Sequence, residues 1–314
     1  MAMFRDFANV WTIIGGSADL RPNKLLPLTV ATERIVLFRD ATGAPAALLD
    51  RCPHRGVALS LGKLCDGVVQ CPFHGWQFDR TGANRRVPWN PDAKRELLGA
   101  ISLPLREVNG LLWLHTGPVA ATEPQLSETV SRQDLACTVQ STRWATHWTR
   151  AMENMLDMPH LPFVHRATIG RQMASEGTEQ MDVRWTLTEL GGRIENITPG
   201  RASQTRLDFH YPNAMELFID PPGRTLRIVA VCLPEAANTT RMIFATYHSF
   251  AKSWVFNPLF RFANRRIARE DKEILESSDP PEIPAAAQEK SVRTDGPTLA
   301  FRKQYFDRLK GTSA

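Results

Sequence analysis

Four residues near the start of the chain have the types and spacing of metal ligands: Cys52 and His54, then Cys71 and His74. They lie in Cys52-Pro53-His54-Arg55-Gly56 and Cys71-Pro72-Phe73-His74-Gly75-Trp76, a C-x-H arm and a C-x-x-H arm separated by sixteen residues. Each arm offers one thiolate and one imidazole from a tight loop, with Pro after the Cys and Gly shortly after the His. Two sulfurs suit one iron of a [2Fe–2S] pair and two imidazoles the other. Replacing thiolates by histidines removes negative charge and raises the reduction potential. Two Cys and two His also suit tetrahedral zinc, but zinc sites usually pair like ligands within one arm. Mixed arms therefore favour the iron–sulfur cluster over the zinc site.

A second concentration of polar residues among apolar ones is Glu153-Asn154-Met155-Leu156-Asp157-Met158-Pro159-His160-Leu161-Pro162-Phe163-Val164-His165. Asn154, Asp157 and His160 are spaced by three and share a ridge while the chain is helical. His165, five further on, points elsewhere on a regular helix, and a distortion at Pro162 is needed to bring both imidazoles together. Two His and one carboxylate hold a non-heme Fe(II) and leave positions open for O2 and substrate. The carboxylate must come from another element. On a helix expected over Leu259–Ser278, the apolar arc contains Phe260, Ala263, Ile267, Ile274 and Leu275. Asp271 falls inside that arc and Glu270 just off its edge. A buried carboxylate is costly unless a cation faces it, and both a metal and a nearby arginine answer that need.

These residues need a scaffold, and the pattern supplies two. The first third is β-rich, with strands expected within Leu28–Phe38 and at Ala46–Leu49, Val68–Gln70, Gly75–Phe78 and Gly110–His115. Ala151–Met158 reads as a helix ended by Pro159. Val183–Leu190, Leu217–Ile219, Leu226–Leu233 and Met242–His248 read as strands of a second sheet, and a last helix is expected near Thr298–Leu309. At 314 residues, a length of about two domains, the expected division is 1–118 and 119–314, with a linker in Gly117–Pro124.

Composition excludes several classes. Hydrophobic residues make up 43% and charged residues 23%, which speaks against disorder. The net charge of +5 is scattered in ones and twos, without the basic stripe and interleaved aromatics that nucleic acid requires. No apolar run is long enough for a membrane span, and Met1–Asp6 lacks a secretory pattern, so the expected location is the cytoplasm. Five cysteines do not make a disulfide framework. No G-x-G and no P-loop occurs, so nicotinamide or flavin is expected on another protein.

Both constellations, in this order, resemble the catalytic (alpha) subunit of Rieske non-heme iron oxygenases, through Cys52–His74, Glu153–His165 and Arg269-Glu270-Asp271-Lys272-Glu273-Ile274-Leu275. The resemblance implies an α+β chain: an N-terminal Rieske β-domain, then a helix-grip catalytic domain with an antiparallel sheet around a long helix. It implies a Rieske [2Fe–2S] cluster on Cys52, His54, Cys71 and His74, and a mononuclear Fe(II) on His160, His165 and Asp271. Asp157 matches a carboxylate bridging to the cluster of a neighbouring subunit in a head-to-tail homotrimer, and Asn154 matches a position near the iron. Electrons are then expected from a separate NAD(P)H-dependent reductase, directly or through a ferredoxin. Chain length favours the compact α-only branch of monooxygenases and demethylases such as those for vanillate and dicamba. A cis-dihydroxylating dioxygenase, and a Rieske electron carrier fused to a ligand-binding module, are the alternatives. Phe73 stands where Tyr is common, which removes a hydroxyl from the surroundings of the cluster.

Overall fold

The computed structural model describes residues 3–175, 180–199 and 206–312. The chain divides into two units, Met1–Pro124 and Gln125–Ala314. Short apolar stretches cut by turns build the first: β1 (Trp11–Gly16), β2 (Leu26–Val30), β3 (Glu33–Arg39), β4 (Pro45–Leu49), β5 (Lys63–Cys65) and β6 (Val68–Gln70). Then come β7 (Gln77–Phe78), β8 (Asn84–Arg86), β9 (Ser102–Leu103), β10 (Leu105–Val108) and β11 (Leu111–His115). They pair antiparallel in three sheets, ordered β1-β11-β10, β2-β3-β4-β9 and β5-β6-β7-β8.

The expected stretch Leu28–Phe38 is two strands. Ala31 and Thr32 adopt left-handed backbone (φ 44° and 71°) and close the β2–β3 hairpin, with Val30 opposite Glu33. Neither is Gly or Asn, so the usual mark of such a turn is missing from the sequence. Val36 and Phe38 of β3 and Ala46 and Leu48 of β4 share one core with Val69, Phe78 and both arm cysteines, Cys52 and Cys71. Burying a Val or Phe side chain contributes about 1.5–3 kcal/mol, so the packing that folds the unit also fixes the two sulfurs. Thr122 accepts from Trp11 Nε1 at 2.7 Å and Glu123 pairs with Arg106 at 2.7 Å, tying the linker to this unit. The units accordingly meet after Pro124, not after Pro118.

The second unit is a seven-stranded antiparallel sheet, β12 (Ala136–Trp144), β13 (Val183–Thr188), β14 (Gly191–Asn196), β15 (Arg206–His210), β16 (Ala214–Phe218), β17 (Leu226–Ala236) and β18 (Thr239–His248). Its order is β12-β18-β17-β16-β15-β14-β13. Among its helices are α1 (Glu128–Ser131), α2 (Trp148–Leu156), α3 (Leu161–Val164), α4 (Arg171–Ser175), α5 (Asn257–Leu275) and α6 (Gly296–Arg308). Helix α2 lies against β16, β17 and β18, α5 against β12, and α6 against β13 and α2. This is the expected α+β arrangement, a β-domain followed by a domain of one sheet and helices.

An ionic square fastens α6 to α2. Arg302 grips the carboxylate of Glu153 with two nitrogens and reaches Glu289 at 2.5 Å, while Arg150 contacts Glu153 at 3.1 Å and Glu289 at 2.5 Å. Hydrogen bonds from Arg150, opposed by partial burial and reinforced by Arg302, pull the Glu289 carboxyl down to about 2. Trp148 of α2 meets Phe301 and Tyr305 of α6 edge-on at 6.0 and 5.4 Å.

Helix α5 differs from the expected one in its rotation. The residues it buries are Asn264, Ala268, Asp271 and Leu275; Ala263 and Ile274 face out, and Phe260 and Ile267 are half-buried. Asn264 is drawn inward by a hydrogen bond to Thr246 Oγ1 at 2.7 Å. Apolar periodicity assigned the inner stripe to residues that the helix partly turns outward.

Candidate metal centres

The two cysteine arms are built on one turn used twice. Cys52 N–H donates to Val57 O (2.8 Å) and Gly56 N–H returns to Cys52 O (2.8 Å). Cys71 N–H likewise donates to Trp76 O (2.8 Å) and Gly75 N–H to Cys71 O (3.1 Å). Gly56 and Gly75 carry φ of 72° and 70°, the left-handed conformation that a residue without Cβ adopts freely. The sulfurs point into the core and the imidazoles outward, His54 half-buried and His74 exposed. Their Nδ1 atoms approach to 3.1 Å, and Trp76 stacks on His54 at 4.6 Å with the rings nearly parallel (4°).

This donor set fits a charged cluster better than it fits itself. Burial pushes the Cys52 thiol up to about 11, and the adjacent Cys71 adds to the rise. Two thiolates side by side in a core are unfavourable unless cations neutralise them. The paired Nδ1 atoms have the same need, since two ring nitrogens 3.1 Å apart must share a proton or face a common cation. All five cysteines are free, including Cys65, Cys137 and Cys232.

In the second unit His160, His165 and Asp271 converge, one ligand atom from each lying within 4.8 Å of the others. Asp271 Oδ1 is 3.0 Å from His165 Nε2 and 3.6 Å from His160 Nε2. His165 is 1% exposed and Asp271 3%. The means of convergence differs from the expected kink at Pro162. Helix α2 stops at Leu156, Asp157 is extended (φ −89°, ψ 112°), and the chain re-enters a helical turn at α3, with Pro162 in its first turn and His165 as its C-cap. Proline suits a first turn, where its missing N–H is no loss. The expected ridge Asn154–Asp157–His160 is therefore broken, yet Asp157 Oδ2 still lies 3.5 Å from His160 Nδ1.

The three residues fit a cation. Asp271 Oδ1 and His160 Nδ1 are buried without a hydrogen bond of good geometry among the described residues, as is Asn154 Nδ2. A buried, unpartnered carboxylate oxygen costs several kcal/mol that a metal ion removes. Burial works against a charged His165, but Asp271 and Glu270 outweigh it and raise its pKa. Glu270 is the residue that sequence reasoning left off the edge of the arc. Its Oε2 accepts from His165 Nδ1 at 2.8 Å and from Thr168 Oγ1 at 2.7 Å.

Above these residues opens a pocket of about 620 Å3, counting its mouth. Asn154, Asp157, His160, His165 and Asp271 line one side; Leu207, Met215, Ile228, Phe244 and Ile267 are among the apolar residues of the rest. Met215 of β16 reaches it, but some other large side chains of the same sheet do not. Phe209 packs with Trp185 and Phe301, Phe218 lies under Arg206 and Arg227, and Tyr247 is core. Arg206 pairs with Asp208 and Arg227 with Asp220.

Comparison with known proteins agrees with this geometry. Residues 10–101 match the Rieske [2Fe-2S] domain, and residues 144–197 and 192–307 match the vanillate O-demethylase oxygenase C-terminal domain. The chain belongs to the Rieske oxygenases that carry this C-terminal domain. It is 29% identical over 228 residues to chlorophyllide a oxygenase of Chlamydomonas reinhardtii, covering 72% of this chain and 32% of that one. It is 31% identical over 167 residues to the oxygenase component of dicamba O-demethylase from Stenotrophomonas maltophilia, covering 51% and 48%. The alignments thus span about a third to a half of these curated relatives. In fold it is similar to Pseudomonas putida CBB5 NdmA, solved with caffeine, with a TM-score of 0.82 at 24% identity, covering 95% of this chain and 90% of that one.

Proposed function

We propose that this chain is the oxygenase component of a multi-protein system that hydroxylates or oxidatively demethylates a small, largely apolar organic molecule. The observation that carries the reading is the meeting of His160, His165 and Asp271 at an apolar pocket, in a chain with a Rieske domain. In this reading Cys52 and Cys71 hold one iron of the cluster, His54 and His74 the other, and the second-unit triad holds Fe(II). When bound, the cluster supplies single electrons and Fe(II) supplies oxygen activation.

The chain's own residues do the rest. The apolar wall binds substrate and excludes water, and Asn154 offers a buried amide nitrogen with no hydrogen bond among the described residues. Asp157 orients His160 from its outer nitrogen and is exposed enough to meet the imidazoles of another copy. The electron donor is a separate NAD(P)H-dependent reductase, acting directly or through a ferredoxin, in the cytoplasm. We read the working form as a homotrimer, which accounts for large apolar side chains left at the surface of the single chain, such as Trp254 (78% exposed) and Phe262 (67%). Among the described residues no helix is long and apolar enough to cross a membrane.

The deciding experiment combines iron and acid-labile sulfide counts with low-temperature EPR on wild type and Asp271→Ala. About three irons and two sulfides per chain, with a Rieske signal, are expected of wild type. The variant is expected to keep the signal and about two irons, and to lose substrate-dependent product. Zinc without sulfide in wild type would overturn the reading, and turnover retained by the variant would remove Asp271 from it.

A further inference from the structure

We propose that Glu270 is a positioning residue for the second metal centre: it fixes the tautomer and orientation of His165 and thereby sets how tightly that centre holds its metal. The inference rests on the reading that His160, His165 and Asp271 bind a metal ion, and adds a residue to it.

The geometry is a clamp on one ring. Glu270 and Asp271 are consecutive on α5, so their side chains leave the helix about 100° apart. The His165 ring lies between them, with Nδ1 2.8 Å from Glu270 Oε2 and Nε2 3.0 Å from Asp271 Oδ1. Glu270 Oε2, which also takes the Thr168 hydroxyl, is the acceptor, so Nδ1 is the donor and keeps its proton. A neutral imidazole with its proton on Nδ1 has its lone pair on Nε2, directed to the side where Asp271 and His160 converge. Outer carboxylates in this position hold the ring and make the ligand nitrogen more basic.

Glu270 is itself held. Thr168 Oγ1 donates to the same Oε2 at 2.7 Å, and Thr168 N–H donates to His165 O at 2.8 Å. Ring, backbone and carboxylate therefore close into one small circuit. Arg266 is too far, at 3.9 Å, to compete for the carboxylate with a hydrogen bond. His160 is treated differently. Its Nδ1 accepts and donates no hydrogen bond among the described residues, and Asp157, at 3.5 Å, is the carboxylate nearest to it. One imidazole is locked from within and the other is left for adjustment from outside.

The test uses protein that keeps its Rieske cluster and has had the second metal removed by chelation, titrated with Co(II) as a coloured probe. Glu270→Gln removes the charge at nearly constant shape. It should weaken Co(II) binding by about 10–100-fold and alter the visible Co(II) spectrum, while the Rieske circular dichroism and the thermal midpoint stay as in wild type. Thr168→Val should shift affinity in the same direction by less, and Glu270→Asp should restore part of the loss. A purely structural Glu270 would move the midpoint and leave the Co(II) spectrum alone. Co(II) affinity in Glu270→Gln within twofold of wild type, with an unchanged spectrum, overturns the proposal. Asp271→Ala separates the two levels: if it too binds Co(II) undiminished, the metal reading itself fails, whereas its loss beside an unaffected Glu270→Gln removes the role of Glu270 alone. Should Glu270→Gln not fold, Thr168→Val carries the same comparison.

Discussion

At Cys52 and Cys71 one backbone turn serves two ligand arms, and its demands explain why this part of the site was legible in the sequence. A cysteine that turns its sulfur into a core while the chain doubles back needs a left-handed residue four positions on, and Gly56 and Gly75 stand there. Adding a Cβ at φ near +70° costs about 1 kcal/mol or more. Gly56→Ala meets open space, whereas the new Cβ of Gly75→Ala lies 3.2 Å from Pro88 Cγ. Both variants should purify with less sulfide per chain, Gly75→Ala with the less of the two; equal, full occupancy would show that the turn does not limit cluster retention. Residue type and spacing also singled out His160 and His165, and the family resemblance added Asp271; the three converge. Glu270 was not legible because one step along a helix swings a side chain by about 100°, and only the true rotation of α5 shows which neighbour it meets.

That rotation belongs to the scale of elements. Periodicity found α5 and most strands of the second sheet, since alternation and helical spacing survive in any context. It placed Asp271 and Leu275 inside, as they are, but misplaced the rest of the inner face of α5 because a polar residue, Asn264, occupies the interior there. It merged β2 with β3 because a turn made of Ala31 and Thr32 carries no punctuation. The expected helix Ala151–Met158 ends at Pro159, whereas the chain already leaves the helix at Asp157. Helix α2 leads directly into the segment that carries His160 and His165, and its far face is held by the ionic square with α6. Arg302→Ala leaves the buried Glu153 with Arg150 alone. Breaking a buried pair costs about 3–5 kcal/mol, and the remaining arginine argues for the lower end. Urea unfolding should show that loss; a change under about 1 kcal/mol would mean the square behaves as a surface pair.

For the whole molecule the sequence indicated two domains and their order, but not where the first one ends, because Thr122 and Glu123 are bound to it by partners more than a dozen residues away. The proposed homotrimer predicts a particle of three 35.3 kDa chains in sedimentation, and a monomer there would overturn it. A mixture makes a sharper test of electron passage between copies. On the proposed function, Cys71→Ser removes a cluster ligand and Asp271→Ala a metal ligand, so neither alone should turn over. In randomly mixed head-to-tail trimers roughly a quarter of the sites combine an intact metal centre with a neighbour's intact cluster, and activity should recover to about that fraction. No recovery would confine the electron path to one chain. The apolar wall of the pocket bears on the other end of the cycle, the departure of what has been made. Oxygenation adds a hydroxyl, or uncovers one by removing a methyl, and a hydroxyl enclosed without a partner loses about 1–3 kcal/mol relative to water. That is on the order of 10–100-fold in residence. On the proposed function, the apolar wall that favours an oily substrate therefore favours its hydroxylated product less wherever the new hydroxyl meets that wall and not the polar side of the pocket.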